Sequence, residues 1–270
     1  MTLLHILILA LVQGITEFLP ISSSGHLVLV PFFSTLPDQG HLMDVAVHVG
    51  TLFAVLLYFW RDTRGLALAG FSVIGITSTR KAIEGTSYAK MFWALIIGTL
   101  PIVIIGGMIA QSNLIDTIRT AEVIAITSIF FGILLWFADR KDVKKAGDSL
   151  GIKAALYIGL AQVLAIIPGT SRSGITMTAA RFMGFNREIA ARFSMLLSIP
   201  TIIAAGTLGA LEIASSEELI IWQDALLAAG LSFVFAMGAI HFLMRWVQTR
   251  SMTLFVVYRI LLGIIILSLL

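Results

Sequence analysis

Polar and apolar positions in this chain segregate on the scale of whole helices. Apolar runs long enough to cross a bilayer fall at residues 44–60, 91–110, 122–138, 192–211, 222–244 and 253–270. Each predicts one membrane-crossing helix, because about 20 apolar residues are needed to traverse a hydrocarbon core of about 30 Å. The five tryptophans, Trp60, Trp93, Trp136, Trp222 and Trp246, sit at or near the ends of these runs, where indole rings prefer the headgroup layer. Two further apolar regions, 3–36 and 152–188, are each broken near the middle by a polar loop. One loop is Ser22-Ser23-Ser24-Gly25-His26 after Pro20; the other is Thr170-Ser171-Arg172-Ser173-Gly174 after Pro168 and Gly169. Broken backbone lined with hydroxyls and a guanidinium is costly at membrane depth unless it lines a polar cavity. These loops are therefore the predicted working site.

Charge orients the spans. Basic residues gather in the connections Arg61–Lys90, Arg140–Lys153 and Arg245–Arg250, whereas Ser112–Glu122 is nearly neutral and Glu212–Asp224 carries only acids. The positive-inside rule places the first three in the cytoplasm and the other two outside. The region 152–188 has Lys153 before it and Arg187 and Arg192 after it, so both ends face the cytoplasm and it reads as a re-entrant hairpin. The region 3–36 must have both ends outside, because the run 44–60 ends inside at Arg61; Asp38 in its exit loop and the lack of N-terminal basic charge agree.

A shift of 149 residues lays Gln13 on Gln162, Ser22 on Ser171, Ser24 on Ser173 and Gly25 on Gly174. Each half is then one hairpin plus three spans, with opposite orientations. The expectation is an all-α polytopic membrane protein with six spans and two re-entrant broken-helix hairpins in an inverted-topology repeat, a pattern that places ligand sites near the bilayer midplane. Repeat 1 covers about residues 1–140 and repeat 2 about 150–270 of a single integral domain. The stretch 66–76 is apolar but too short to span, and reads as interfacial or packed on the bundle.

Composition agrees with this reading and removes other classes. Hydrophobic residues make up 58% of the 270 and charged residues 12%, against about 25% charged in soluble domains. Mean hydropathy is +0.99. The net charge of +3 sits in loops between spans and orients the protein, so nucleic-acid binding is not expected. With no cysteine, thiol chemistry and disulfides are excluded. The N-terminal run lacks the basic lead and small-residue cleavage pattern of a removable signal peptide, and is read as structure.

Gln13 and Glu17 lie four residues apart, on one face of a helix. A carboxylate at membrane depth costs about 2.5–3.5 kcal/mol, so Glu17 needs a partner: local capping near the interface, a cation, or Arg172 in a buried ion pair. Arg172 carries a fork of donors suited to phosphate or carboxylate. The half-helices beginning near Gly25 and Gly174 direct backbone N–H groups and a positive dipole end at the loops, and the surrounding hydroxyls complete two anion cradles. Facing each other, with Arg172, they suit a highly charged anion such as a diphosphate. His26 is the imidazole beside a polar loop, and is read as catalytic against a packed structural role. Asp44 and His48 are read as local support or rim, Gln162 as a support behind the site, and His5, His41 and His241 as structural; no spacing matches a zinc site.

The strings QGITEFLPISSSGHL (Gln13–Leu27) and PGTSRSGIT (Pro168–Thr176) resemble the two signature regions of the bacterial undecaprenyl-diphosphate phosphatase family, also called bacitracin resistance proteins. In that family the first motif begins with Glu or Gln and has Glu four residues later; Gln13 and Glu17 occupy those positions, so one of the two is a carboxylate here. The resemblance implies hydrolysis of the carrier lipid undecaprenyl diphosphate to its monophosphate, helped by a divalent cation, Mg2+ or Ca2+. It also implies a place in the bacterial cytoplasmic (inner) membrane, a site reached from the outer face, a role in recycling the carrier for peptidoglycan synthesis, and bacitracin resistance. Glu17, Ser22, Ser23, His26, Ser171, Arg172 and Ser173 match its functional positions. The type-2 phosphatidic acid phosphatases share Ser-Gly-His and Ser-Arg elements, but need His and Asp where this chain has Thr178 and Phe182.

On this reading Ser23, His26, Glu17 and Arg172 are catalytic, and Ser22, Ser24, Gly25, Thr170, Ser171, Ser173 and Gly174 hold the diphosphate. Glu17, with Gln13 nearby, holds the cation together with substrate phosphates. Ser23 is the first choice of nucleophile, activated by His26 or Glu17, with direct attack by His26 or by water as rivals. Partners are a polyprenyl diphosphate and membrane lipids; a homo-oligomer is left open. The competing class is a transporter or flippase for a polyprenyl phosphate or other anion, since inverted repeats with broken helices also build transporters.

Overall fold

The computed structural model describes residues 1–34, 39–109, 117–144, 150–215 and 222–270. All regular structure among them is helical. In chain order the helices are α1 (Leu3–Thr16), α2 (Ser23–Phe33), α3 (Gly40–Tyr58), α4 (Trp60–Val73), α5 (Thr77–Ala82), α6 (Tyr88–Ile109) and α7 (Ala121–Asp139). They continue with α8 (Ile152–Gln162, prolonged by a 3-10 turn Val163–Ile166), α9 (Arg172–Phe182), α10 (Arg187–Ser215), α11 (Trp222–Thr249) and α12 (Thr253–Leu269). Side-chain caps start several of them: Thr2 Oγ1 accepts from the His5 amide at 3.3 Å, and Thr120 Oγ1 from the Val123 amide at 3.3 Å, satisfying donors that have no intrahelical partner.

Five helices, α3, α6, α7, the run Arg187–Leu211 within α10, and α11, are long and apolar enough to cross a membrane. The sixth predicted span is α12, a helix of 17 residues and hence about 26 Å, short of a full hydrocarbon core. The helices also overrun the apolar runs: α3 begins at Gly40, not 44, and α10 extends to Ser215, because helical hydrogen bonding continues through polar residues at the bilayer edge. Most of the stretch 66–76 belongs to α4, which ends at Val73 and whose Asp62 is held by Arg192 of α10. Asp38, Ser112 and the acids Glu217 and Glu218 of the predicted outer connections lie outside the described residues.

α2 packs back on α1 and α9 packs back on α8, so each polar loop turns a hairpin whose second arm is an 11-residue helix. Contacts between the halves are reciprocal: α1 lies against α11 while α8 lies against α6, α3 pairs with α11 while α10 pairs with α6, and α7 pairs with α12. Close approaches depend on small residues, as expected between apolar helices. A Cβ on Gly50 would run into the Ala229 carbonyl, and one on Gly159 into the Gly98 carbonyl.

The core joins both halves through Phe18, Ala54, Leu135, Ile158, Met177, Phe193 and Leu243. Polarity is arranged inside out. Gln13, Glu17, Gln162, Arg181 and Arg259 are buried, while Phe53, Ile104, Phe130, Leu226 and Ile264 are exposed around the outside. An exterior this apolar is suited to lipid contact.

Candidate active site

Both loops begin on a serine with positive φ, Ser22 at 75° and Ser171 at 70°, the two non-glycine residues of this kind among the described residues. Such backbone is strained for an L-residue, and it recurs at positions matched by the 149-residue shift. Each serine caps the helix that follows: Ser22 Oγ accepts from the Gly25 amide at 3.3 Å, and Ser171 Oγ from the Gly174 amide at 3.0 Å. The serine carbonyls then accept from the His26 and Ile175 amides. Of the first-turn amides, those of Ser23 and Ser24 in α2, and of Arg172 and Ser173 in α9, are left without an intrahelical acceptor. Two matched cradles with positive helix ends result.

The side chains of the two hairpins meet at Glu17. Its Oε1 accepts from Arg172 Nη2 at 2.7 Å, and its Oε2 accepts from Ser23 Oγ at 2.6 Å and from Gln13 Nε2 at 3.0 Å. The buried ion pair raised as the structural alternative for Glu17 is thus formed, and its carboxylate also holds the Ser23 hydroxyl. Arg172 Nη1 donates to the Ser194 carbonyl of α10 at 3.0 Å, which fixes the guanidinium between the first hairpin and a long helix. A second bond between hairpins runs from Ser173 Oγ to the Leu19 carbonyl at 2.8 Å.

His26 is oriented from both sides. Its Nδ1 is 2.6 Å from the Ser22 carbonyl, which can only accept, so Nδ1 carries the proton. Its Nε2 is 2.6 Å from the Tyr258 hydroxyl, which donates to it in the neutral ring, and the two rings stack 5.7 Å apart. No hydrogen bond joins His26 to Ser23 among those of the described residues; Glu17 is the base in contact with that hydroxyl. Ser24 and Tyr258 are exposed, and Ser23 and His26 half-buried, so this side of the site is open.

Thr170, Ser171 and Ser173 are buried. Arg259, fully enclosed, explains how their loop is held: Nη2 donates to the Gly169 and Thr170 carbonyls at 2.8 and 2.9 Å, and Nε to the Ser128 carbonyl at 3.2 Å. Thr127 Oγ1 donates to the Pro168 carbonyl at 2.6 Å. Loop carbonyls that water cannot reach are thereby satisfied.

All the predicted loop residues, with Gln13 and Glu17, gather here. Gln162 does not: it lies 3.4 Å from both the Gly98 carbonyl and Thr201 Oγ1, between α6, α8 and α10, and so joins helices rather than supporting the loops. His48 reaches further in than a rim residue. Its Nδ1 lies 2.7 Å from the Asp44 carbonyl and its Nε2 3.9 Å from Glu17 Oε2. Tyr258, Arg259, Thr127 and Ser194 had no local signal, since none lies in a polar run; the Arg within the apolar α12 was the one available hint. Among the described residues no three His, Asp or Glu side chains cluster as a metal site. Gln13 Oε1, however, is buried beside Glu17 with no hydrogen-bond partner, an oxygen suited to a hard cation.

The chain's sequence matches the profile described as "Bacitracin resistance protein BacA" over residues 6–265. It is similar to the undecaprenyl-diphosphatase of Jannaschia sp. (strain CCS1), 46% identical over 271 residues, covering 99% of this chain and 98% of that one. The undecaprenyl-diphosphatase of Ruegeria pomeroyi is 46% identical over 273 residues, with the same coverage. That of Alteromonas mediterranea is 47% identical over 268 residues, again with 99% and 98% covered.

Proposed function

This chain belongs to the bacitracin resistance protein family, and on that premise we propose that it is a membrane phosphatase converting undecaprenyl diphosphate to undecaprenyl phosphate and inorganic phosphate. The observation that carries the assignment to this site is Glu17 bonded at once to Arg172 and to the Ser23 hydroxyl. A carboxylate poised on a hydroxyl, beside a guanidinium and two helix N-termini, is suited to phosphoryl transfer, where positioning and charge stabilisation do most of the catalytic work.

In the proposed reaction the diphosphate displaces Arg172 partly from Glu17 and lies across the cradles. Ser23 Oγ attacks the terminal phosphorus as its proton passes to Glu17. The bridging P–O bond breaks, the lipid monophosphate leaves, and a phosphoserine remains for water to hydrolyse. Arg172 and the free amides of Ser23, Ser24 and Ser173 meet the charge on the equatorial oxygens. His26, with Nε2 as its basic nitrogen, is placed at the open side to activate the water. Glu17 and Gln13 Oε1 would hold a Mg2+ or Ca2+, whose chemistry there is to neutralise phosphate charge.

The proposed topology is six spans and two re-entrant hairpins in opposite orientation, with α12 completing the bundle against α7. Support comes from the matched strained serines and the reciprocal contacts of the halves. On this reading, as membership of the family implies, the site is reached from the outer face of the bacterial cytoplasmic membrane, its product re-enters the carrier cycle of peptidoglycan synthesis, and its turnover confers bacitracin resistance. The test is phosphate release from undecaprenyl diphosphate by purified protein in detergent, with and without Mg2+ or Ca2+. Cation-dependent release that disappears in Arg172→Ala is expected; near-normal release in that variant overturns the site. No release from folded wild-type protein would favour a transporter of polyprenyl phosphates.

A further inference from the structure

A cavity of about 460 Å3 lies away from the paired loops, at the other end of α9. Arg172 opens that helix and Arg181 stands in its last turn, about 14 Å along the axis. The cavity is walled by the C-terminal end of α7, the start of α10 and the start of α12. Four cations line it, Arg140, Lys141, Arg181 and Arg187, against the single carboxylate of Asp139.

That carboxylate is occupied. Asp139 Oδ1 accepts from Arg187 Nε at 2.6 Å, and Oδ2 from Arg187 Nη2 at 3.0 Å and from the Met252 amide at 2.9 Å. Arg181, 2% exposed, spends its terminal nitrogens on the carbonyls of Phe185, Asp139 and Lys141. Its Nε is buried with no hydrogen-bond partner, 3.6 Å from Asp139 Oδ1. Arg140 lies over the Trp136 ring, 3.6 Å from its centroid, an arrangement that orders a guanidinium without neutralising it. Neither Arg140 nor Lys141 forms an ion pair among those of the described residues. Asp142, the next acid along the chain, does not line the cavity.

A half-open space with four cations against one carboxylate and an ordered, unpaired guanidinium suits an anion with several oxygens. Its place at the ends of three membrane helices, with Trp136 and the exposed Val143 as apolar wall, puts that anion at headgroup level. We propose that this cavity binds the phosphate of a membrane lipid headgroup, at a site separate from the hydrolytic one. Arg140 and Lys141 supply the accessible donors; Arg181 and Arg187 hold the cavity open through Asp139 and the backbone.

The test is binding of dioctanoyl phosphatidic acid to the purified full chain, followed by native mass spectrometry, in the wild type and in Arg140→Gln/Lys141→Gln. Both altered residues are exposed, so the fold is retained. Affinity is expected to fall at least tenfold in the double variant, while turnover at the paired loops in phosphatidylcholine nanodiscs stays within twofold. Dioctanoyl phosphatidylcholine, whose headgroup is neutral overall, is expected to bind far more weakly. Equal phosphatidic acid affinity in both proteins overturns the proposal. Inorganic phosphate bound as tightly as the lipid overturns the lipid assignment in favour of free phosphate.

Discussion

The two hairpin loops have one backbone and two chemistries. Both turn on a positive-φ serine, cap the next helix with its hydroxyl and pair that hydroxyl with a serine two residues on, 3.4 Å away in the first loop and 3.1 Å in the second. The side chains between those matched atoms differ. Where the first hairpin carries Glu17, Ser23 and His26, the second carries Ile166, Arg172 and Ile175. The first also keeps Ser24 exposed and Ser23 half-buried, while the second is closed over by Arg259, Thr127 and Ser194. The backbone turns proposed to cradle an anion are thus duplicated, whereas the groups proposed to move protons stand in one copy and the guanidinium of Arg172 in the other. The proposed reaction needs both, and Glu17–Arg172 is the contact at which they join.

Breaking that contact tests the division most severely. Arg172→Ala is expected to lower phosphate release by about 1,000-fold or more, at the upper end of what removing one donor to a developing oxyanion costs. The helical circular dichroism spectrum should be unchanged. Arg172→Lys should recover little, since an ammonium cannot bridge Glu17 and the Ser194 carbonyl as the fork does. Ser23→Ala should lose a comparable amount, and Ser173→Ala much less, because the Ser173 hydroxyl is spent on the Leu19 carbonyl. Similar losses in the two serine variants would show that the copies share the chemistry equally.

The next effect concerns how the second loop is held. Arg259 is the support of that loop least legible in the sequence, and the reason is physical. Apolar runs, tryptophan positions and the two polar strings are local patterns; they mark the five helices long and apolar enough to cross a membrane and the two loops, and they offer Arg172 as one of several partners for Glu17. Arg259, Tyr258, Ser194 and Thr127 come from helices remote in sequence and act on backbone carbonyls, which leave no trace in residue type. Helix ends run past the apolar limits because hydropathy stops at charged residues while helical hydrogen bonding does not; Gln162 faces the Gly98 carbonyl and Thr201, since a match to Gln13 in sequence does not fix what its amide faces. Arg259→Leu should strand several buried carbonyls at about 1–3 kcal/mol each. A fall in Tm large enough to leave much of the protein unfolded in detergent is expected; Arg172→Ala, which strips the buried Glu17 carboxylate of its cation, should lower Tm by less, because Ser23 and Gln13 still bond Glu17.

A smaller effect should be the same in both loops, which makes it the sharpest check on their equivalence. Positive φ costs a non-glycine residue about 1–2 kcal/mol, and glycine replaces a serine cap at a loss of only a few tenths. Ser22→Gly and Ser171→Gly should therefore leave Tm unchanged or slightly raised. Ser22→Ala and Ser171→Ala keep the strain and lose the cap, and each should cost about 1 kcal/mol. Different stability changes at the two serines would mean that the loops match in geometry but not in energy.

The smallest expected effect lies on the open side of the first loop. Tyr258→Phe keeps the ring stacked on His26 and removes only the hydroxyl at Nε2. With the Ser22 carbonyl still holding Nδ1, the tautomer is preserved and the ring loses one of two anchors. Turnover should fall by about tenfold or less, the worth of one hydrogen bond of about 0.5–1.5 kcal/mol. His26→Ala should fall much further if Nε2 activates water in the second step, and in that variant phosphoserine should accumulate at Ser23. If instead Tyr258→Phe and His26→Ala lose activity equally, the imidazole serves only to carry the tyrosine, and the proton chemistry of the site rests on Glu17 alone.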